Sequence, residues 1–293
     1  MKTLNDADLT IVGAGLMGAS LALALRGTVR TIRAVDTDPA SREIVAAYVD
    51  EVSGDLDPAV AAADVIVLAT PIRAILRLLD HLKTPGVLRP GAVVIDLGSV
   101  KQQIVQAMDD LPETVLAVGG HPMCGKETSG PQDATGALYQ GSVFVLCPSR
   151  RTTDEVLAFA TGLIRAIGAR PLILPAARHD AAVAAISHLP YVLSAGLVSA
   201  VDRGAENDPL AWTLASNGFR DTSRLAAGDV TMMSDILLTN QNAILDALAL
   251  FRAQLDALET AIRSSDEAAL RGILGRARQV RIDWFKKWSA PSE

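Results

Sequence analysis

The sequence predicts an α/β protein in which a doubly wound parallel sheet, with helices on both faces, is followed by an all-α part. Three observations predict it. The first half of the 293 residues alternates short β-branched runs with helical stretches, the pattern of parallel strands joined by crossover helices. A glycine-rich turn, Gly13-Ala14-Gly15-Leu16-Met17-Gly18, follows the first of those runs. Beyond Ala176 the β-runs stop, and long segments with i, i+3, i+4 apolar spacing take over.

In chain order, strands are expected at residues 8–12, 31–36, 64–69, 92–96, 115–118, 142–147 and 170–174. Three or four long helices follow, around residues 178–202, 229–264 and 266–288. Pro175 divides the chain into residues 1–175, a nucleotide-binding domain, and residues 176–293, a helical domain that binds substrate and dimerises. With 49% apolar and 20% charged residues the chain reads as compact and soluble, its apolar helices packed tightly or buried in an oligomer. A net charge of −6 argues against a nucleic-acid surface, which needs clustered Lys and Arg. The two cysteines, Cys124 and Cys147, make neither a disulfide framework nor a metal site, so a reducing cytoplasm is the expected home and no metal is expected. No leader is read at the N-terminus. Ser, His, Asp and Asn interrupt the later apolar helices, so no clean membrane span is expected.

The glycine turn sits between the run Leu9-Thr10-Ile11-Val12 and an apolar helix, which is the context of a Rossmann-type dinucleotide site. Gly13 permits the tight turn, Gly15 lets a pyrophosphate approach, and Gly18 lets helix and strand pack closely. The N–H groups of the helix start, Leu16 and Met17 included, face the anion. Asp36 ends the second strand about 20 residues on, where a carboxylate accepts bonds from ribose hydroxyls and repels a 2′-phosphate, favouring NAD over NADP. The plainer alternative is a turn or N-cap aspartate in Asp36-Thr37-Asp38-Pro39, and Arg33 and Arg42 flank the position.

Ligands of such sheets lie beyond the carboxyl ends of the strands, at the point where strand order reverses. There Thr70-Pro71 is expected to line the nicotinamide pocket, and Ser99 and His121 to stand on neighbouring strand ends. A carbon that loses hydride must also shed its oxygen-bound proton, and a neutral imidazole can accept it. His121, expected just past its strand after Gly119-Gly120, is the general base, with Ser99 bridging it to a substrate hydroxyl. The alternatives are a loop histidine bonded to a carbonyl and a serine N-cap over Gln102. Lys101 reads as a solvated first-turn lysine or a cofactor-phosphate contact, and Cys124 as a packing residue.

Four segments now coincide: GAGLMG at 13–18, DLGSVK at 96–101, GGHPMCGKE at 119–127, and ISHLPY at 186–191 followed by NGFRDTSR at 217–224. Their order and spacing closely resemble the prephenate/arogenate dehydrogenase family of tyrosine biosynthesis over nearly the whole chain. The resemblance implies a dinucleotide-binding domain plus a helical dimerisation domain, NAD as cofactor, and oxidative decarboxylation of a cyclohexadienol dicarboxylate. It also implies roles for single residues. His121 deprotonates the ring hydroxyl with help from Ser99, and Arg220 grips the ring carboxylate. His188 stands at the substrate pocket, and Glu127 lies near its mouth. Without the resemblance, His188 would read as a core histidine and Arg220 and Arg224 as surface charges pairing with Asp221 and Asp229. Glu127, Lys126 and Asn217 are candidates for telling prephenate from arogenate or the 4-amino analogue. The apolar helices and the Trp284-Phe285-Lys286-Lys287-Trp288 end point to a homodimer interface. About five residues follow the last helix, too few for a regulatory module. A β-hydroxyacid dehydrogenase, an imine reductase or a non-catalytic NAD-binding protein shares the layout, but the HPM and GFRD segments count against it.

Overall fold

The computed structural model describes residues 2–288, except 127 and 207. Eight strands form one sheet: β1 (Asp8–Val12), β2 (Thr31–Val35), β3 (Glu51–Ser53), β4 (Val65–Leu68), β5 (Val93–Asp96), β6 (Leu116–Pro122), β7 (Val143–Pro148) and β8 (Arg170–Ile173). Their order is β3-β2-β1-β4-β5-β6-β7-β8, so the order reverses between β1 and β4. Every pairing is parallel except β6 with β7. Every residue of β4 and β5 is buried, as expected of central strands covered by helices on both faces.

Crossover helices α1 (Leu16–Leu25), α2 (Pro39–Val45), α3 (Leu56–Ala61), α4 (Ile72–Leu82), α5 (Gln102–Asp109) and α6 (Asp154–Ala166) connect the strands. Apolar clusters form the core. One gathers Leu9, Ile11, Leu21 and Leu25 with Phe144 and Ile164, and another gathers Ile66, Leu68, Ile75, Leu79, Ile104 and Met108. Tyr139 is fully buried in the first, and its hydroxyl donates to Met17 O at 2.7 Å, pinning the start of α1.

Two strands differ from the sequence expectation. β3 is a three-residue edge strand, too short to show a period. β6 does not stop at Val118. Its parallel pairing with β5 ends there, but antiparallel β7 carries it on to Pro122, with His121 opposite Val145. His121 therefore lies within a strand rather than on a loop past one. The preceding glycines serve packing rather than ligand approach, because a Cβ on Gly120 would lie 2.4 Å from Asp96 O and one on Gly119 2.9 Å from Val105 Cγ2.

Beyond β8 come α7 (Ala176–Val183), a π-helical turn (Ala184–His188) and α8 (Leu189–Gly204), which run on as one helical stretch. Then follow α9 (Leu210–Leu214), α10 (Asn217–Ser223), α11 (Val230–Thr239), α12 (Gln241–Arg263) and α13 (Glu267–Trp288). The expected segment 229–264 is thus broken at Asn240, and α9 and α10 are short helices that periodicity does not reveal. The stretch Ala176–Gly204 is long and apolar enough to cross a membrane by length and composition, contrary to the expectation that polar residues would prevent it. The chain divides into two units, Met1–Ala243 and Ile244–Glu293. In the second, the rest of α12 turns at Ser264 and Ser265, and Asp266 Oδ1 accepts Ala269 N at 2.9 Å to start α13. Leu250, Ile262, Leu274, Val280 and Trp288 stand exposed on its helices.

Candidate active site

The strand ends around the β1/β4 reversal build the site. Gly13 takes φ of +103°, and a Cβ there would lie 2.6 Å from Ala69 O. One on Gly18 would lie 1.9 Å from Gly13 O, so both positions demand glycine, while Gly15 faces open space. No side chain caps α1, leaving the first N–H groups, those of Leu16 and Met17, available to an anion. Asp36 closes the turn: its Oδ2 accepts Ala14 N at 2.7 Å and its Oδ1 accepts Asp38 N at 2.9 Å. Asp38, not Asp36, caps α2. Arg33 pairs with Glu51 at 2.6 Å, and Arg42 donates to Asp36 O and Thr37 O. Across the reversal, Pro71 precedes α4, and the Thr70 hydroxyl is buried with no hydrogen-bond partner among the described residues. An uncapped helix start, an open Gly15 and an orphaned hydroxyl opposite it are what a bound dinucleotide would complete.

Lys101 is not solvated. It is 0% exposed and forms an ion pair with the equally buried Asp96, while its Nζ donates to Gly120 O at 2.6 Å. Asp96 also accepts Gly98 N at 2.8 Å and Gly120 N at 2.9 Å. One carboxylate thereby ties the loop carrying Ser99 to the strand carrying His121.

Ser99 is half-buried, and its hydroxyl has no hydrogen-bond partner among the described residues. It does not cap α5 as the alternative reading held. Asp180 does so from α7, with Oδ1 accepting Lys101 N and Oδ2 accepting Gln102 N, both at 2.8 Å. His121 Nδ1 lies 2.7 Å from His179 Nε2, and His179 Nδ1 lies 2.7 Å from Asp180 Oδ1. The two imidazoles meet edge to face with centroids 5.0 Å apart. Burial above all, then the charges of His179, Lys101 and His188, hold the His121 pKa well below the ordinary 6.5. Sequence reasoning missed His179 and Asp180. The adjacent His-Asp pair at the start of an apolar helix was the available signal.

His188 is 1% exposed, and its Nδ1 lies 3.2 Å from Asn240 Nδ2, which also donates to Asp180 O. Burial pushes its pKa down to about 4, so it is neutral at physiological pH. It lies inside the fold, within electrostatic reach of His121. Arg220 is exposed on α10 and pairs with Asp221 at 3.0 Å. Lys126 donates to Asp133 O, and Glu127 lies outside the described residues. Burial raises the Cys124 pKa, which leaves it a thiol suited to packing.

A dinucleotide turn at the strand reversal, a histidine pair at the carboxyl end of β6 and a helical C-terminal half define a nucleotide-dependent dehydrogenase on a doubly wound sheet. Residues 20–173 match the family of the prephenate dehydrogenase nucleotide-binding domain, and residues 175–276 that of the prephenate dehydrogenase dimerization domain. The chain belongs to the prephenate dehydrogenase family. The Bacillus subtilis (strain 168) prephenate dehydrogenase is 29% identical over 286 residues, covering 96% of this chain and 76% of that one. Among solved structures, prephenate dehydrogenase from A. aeolicus in complex with hydroxyphenyl propionate and NAD+ is 27% identical with a TM-score of 0.87, covering 97% of this chain and 99% of that one. Synechocystis arogenate dehydrogenase is 34% identical with a TM-score of 0.80, covering 94% and 99%.

The Asp96–Lys101 pair makes a testable demand. Lys101→Met strands a buried carboxylate and should cost about 3–5 kcal/mol, read as a fall in the urea midpoint. Adding Asp96→Asn should restore part of the loss.

Proposed function

We propose that this protein catalyses the NAD+-dependent oxidative decarboxylation of prephenate to 4-hydroxyphenylpyruvate, a step of tyrosine biosynthesis. The observation that carries this reading is His121, half-buried at the carboxyl end of the sheet, with Nδ1 held by His179 and Nε2 without a hydrogen-bond partner among the described residues.

NAD+, held by Gly13, Gly15 and Gly18, the start of α1, Asp36, Thr70 and Pro71, supplies the hydride acceptor. His121 takes the proton of the C4 hydroxyl as the C4–H bond breaks and a carbonyl forms. Ser99, with its hydroxyl uncommitted, bridges hydroxyl and imidazole. The ring carboxylate then leaves as CO2, and its bonding electrons pass through the ring to the carbonyl oxygen, which recovers its proton from His121. Aromatisation drives the step. Arg220 holds a substrate carboxylate through two parallel bonds. Its present pairing with Asp221 is exposed and worth about 0.2–1 kcal/mol, so a dianionic substrate displaces it readily. His188 acts from behind the site through its bond to Asn240.

Asp36 ends the second strand, Arg33 pairs with Glu51 and Arg42 binds backbone carbonyls, an arrangement that supports binding of a ribose hydroxyl rather than a 2′-phosphate. NAD+ is accordingly preferred to NADP+. Residues 1–175 serve as the nucleotide-binding domain and 176–293 as the helical domain, through which two copies pair in the cytoplasm. The apolar stretch Ala176–Gly204 is taken as a packed helix of a soluble protein, supported by its buried His179, Asp180 and His188. The second reading, arogenate in place of prephenate, rests on the 34% identity to the Synechocystis enzyme. Glu127, Lys126 and Asn217 are the residues that would decide between the two.

NADH formation with prephenate and arogenate supplied separately, each with NAD+ and NADP+, tests the reading; no turnover of either substrate would refute it. His121→Asn should lower kcat by roughly 10²- to 10⁴-fold. Because the base works unprotonated and its pKa is lowered, kcat should hold through neutral pH and fall only as pH drops below the ordinary 6.5. Arg220→Ala should raise the substrate KM far more than it lowers kcat, so an unchanged KM would remove its role.

A further inference from the structure

His121 Nδ1, His179 Nε2, His179 Nδ1 and Asp180 Oδ1 form an unbroken line of two 2.7 Å contacts, and its direction can be assigned from the far end. Asp180 Oδ1 already accepts Lys101 N and Oδ2 accepts Gln102 N, so the carboxylate is fixed as an acceptor. The third group facing it, His179 Nδ1, must therefore donate. In a neutral imidazole a proton on Nδ1 leaves Nε2 bare. Bare His179 Nε2 can only accept, and the ring nitrogen opposite it is His121 Nδ1.

We propose that His179 and Asp180 are positioning residues that lock His121 in its Nδ1–H form, so that its Nε2 lone pair is always the one presented to substrate. The arrangement resembles the role of the aspartate in a Ser-His-Asp triad, where a wrong tautomer rather than a wrong position costs most of the rate. Here a second imidazole is interposed between base and carboxylate. When His121 takes the substrate proton, the Nδ1–H bond to His179 strengthens, and Asp180 lies two hydrogen bonds away to balance the charge. Lys101, buried nearby and paired with Asp96, adds its charge to the effects that keep His121 unprotonated at rest. His188, whose Nδ1 takes Asn240, faces His121 from the π turn as a neutral ring.

This assignment rests on His121 being the base, but its first test needs no substrate. Long-range ¹H–¹⁵N spectra of histidine-labelled enzyme report which nitrogen of each ring is protonated, and His121→Asn and His179→Gln assign the signals among the four histidines. Both His121 and His179 should carry the proton on Nδ1 with Nε2 bare at neutral pH. A proton on His121 Nε2, or a doubly protonated His179, would overturn the proposal. Kinetics give the second reading. His179→Gln keeps an accepting oxygen and should retain most of the wild-type kcat. His179→Leu should lose about 10–100-fold in kcat, the usual cost of an orienting partner, with the substrate KM nearly unchanged. Equal losses in the two variants would reduce His179 to packing and sink the idea. Wild-type enzyme with the expected tautomers but no turnover of either substrate would instead count against the functional reading.

Discussion

One carboxylate holds the site together. Asp96 ends β5 with no exposure to water and accepts from Gly98 N, Gly120 N and Lys101 Nζ. A buried charge of this kind is tolerable only when fully partnered. The partnering dictates the rest: the Gly98-Ser99 loop must fold back over the carboxylate, β6 must pass close enough to rule out a Cβ at Gly120, and Lys101 must point inward. The loop that carries Ser99 and the strand that carries His121 are thereby tied to the same carboxylate. The dinucleotide turn follows a similar plan on the other side of the reversal, where the Asp36 carboxylate clasps the Ala14 amide.

The elements with a strong local signal were legible in the sequence. Seven of the eight strands, the glycine turn and the helical second half follow from periodicity and from turn residues at fixed offsets. Three of the misses share a cause, which is that folding, not the local pattern, supplies the deciding partner. Gly119-Gly120 looks like a loop until β7 is placed alongside, with Leu146 and Cys147 as their partners, 26 and 28 residues later. Lys101 looks solvent-bound until Asp96 and Gly120 are folded against it. The cap of α5 comes from Asp180, 78 positions beyond Gln102, so no local reading finds it. His121 and Ser99 could be picked out as candidates from the sequence, but the hydrogen bonds that fix His121 through His179 and Asp180 could not.

The π turn at Ala184–His188 accounts for another feature that the pattern alone would misplace. His179 and His188 are nine residues apart, about two and a half turns of α-helix, which puts them on opposite faces. A wider turn between them changes that relation. Both side chains end up buried, and both lie within electrostatic reach of His121. An irregularity in one helix thus collects ring nitrogens that a regular helix would keep apart.

The carboxylate of Asp180 that caps α5 also ends the His121–His179 line. The line His121–His179–Asp180 is assembled by folding itself, with His179 and Asp180 buried, so its order is set by the fold. Arg220, by contrast, stands exposed on a short helix and pairs with the neighbouring Asp221. On the proposed reading, changes on that outer surface alter substrate recognition without retuning His121. A scaffold so divided lends itself to acquiring new ring substrates through a few surface substitutions.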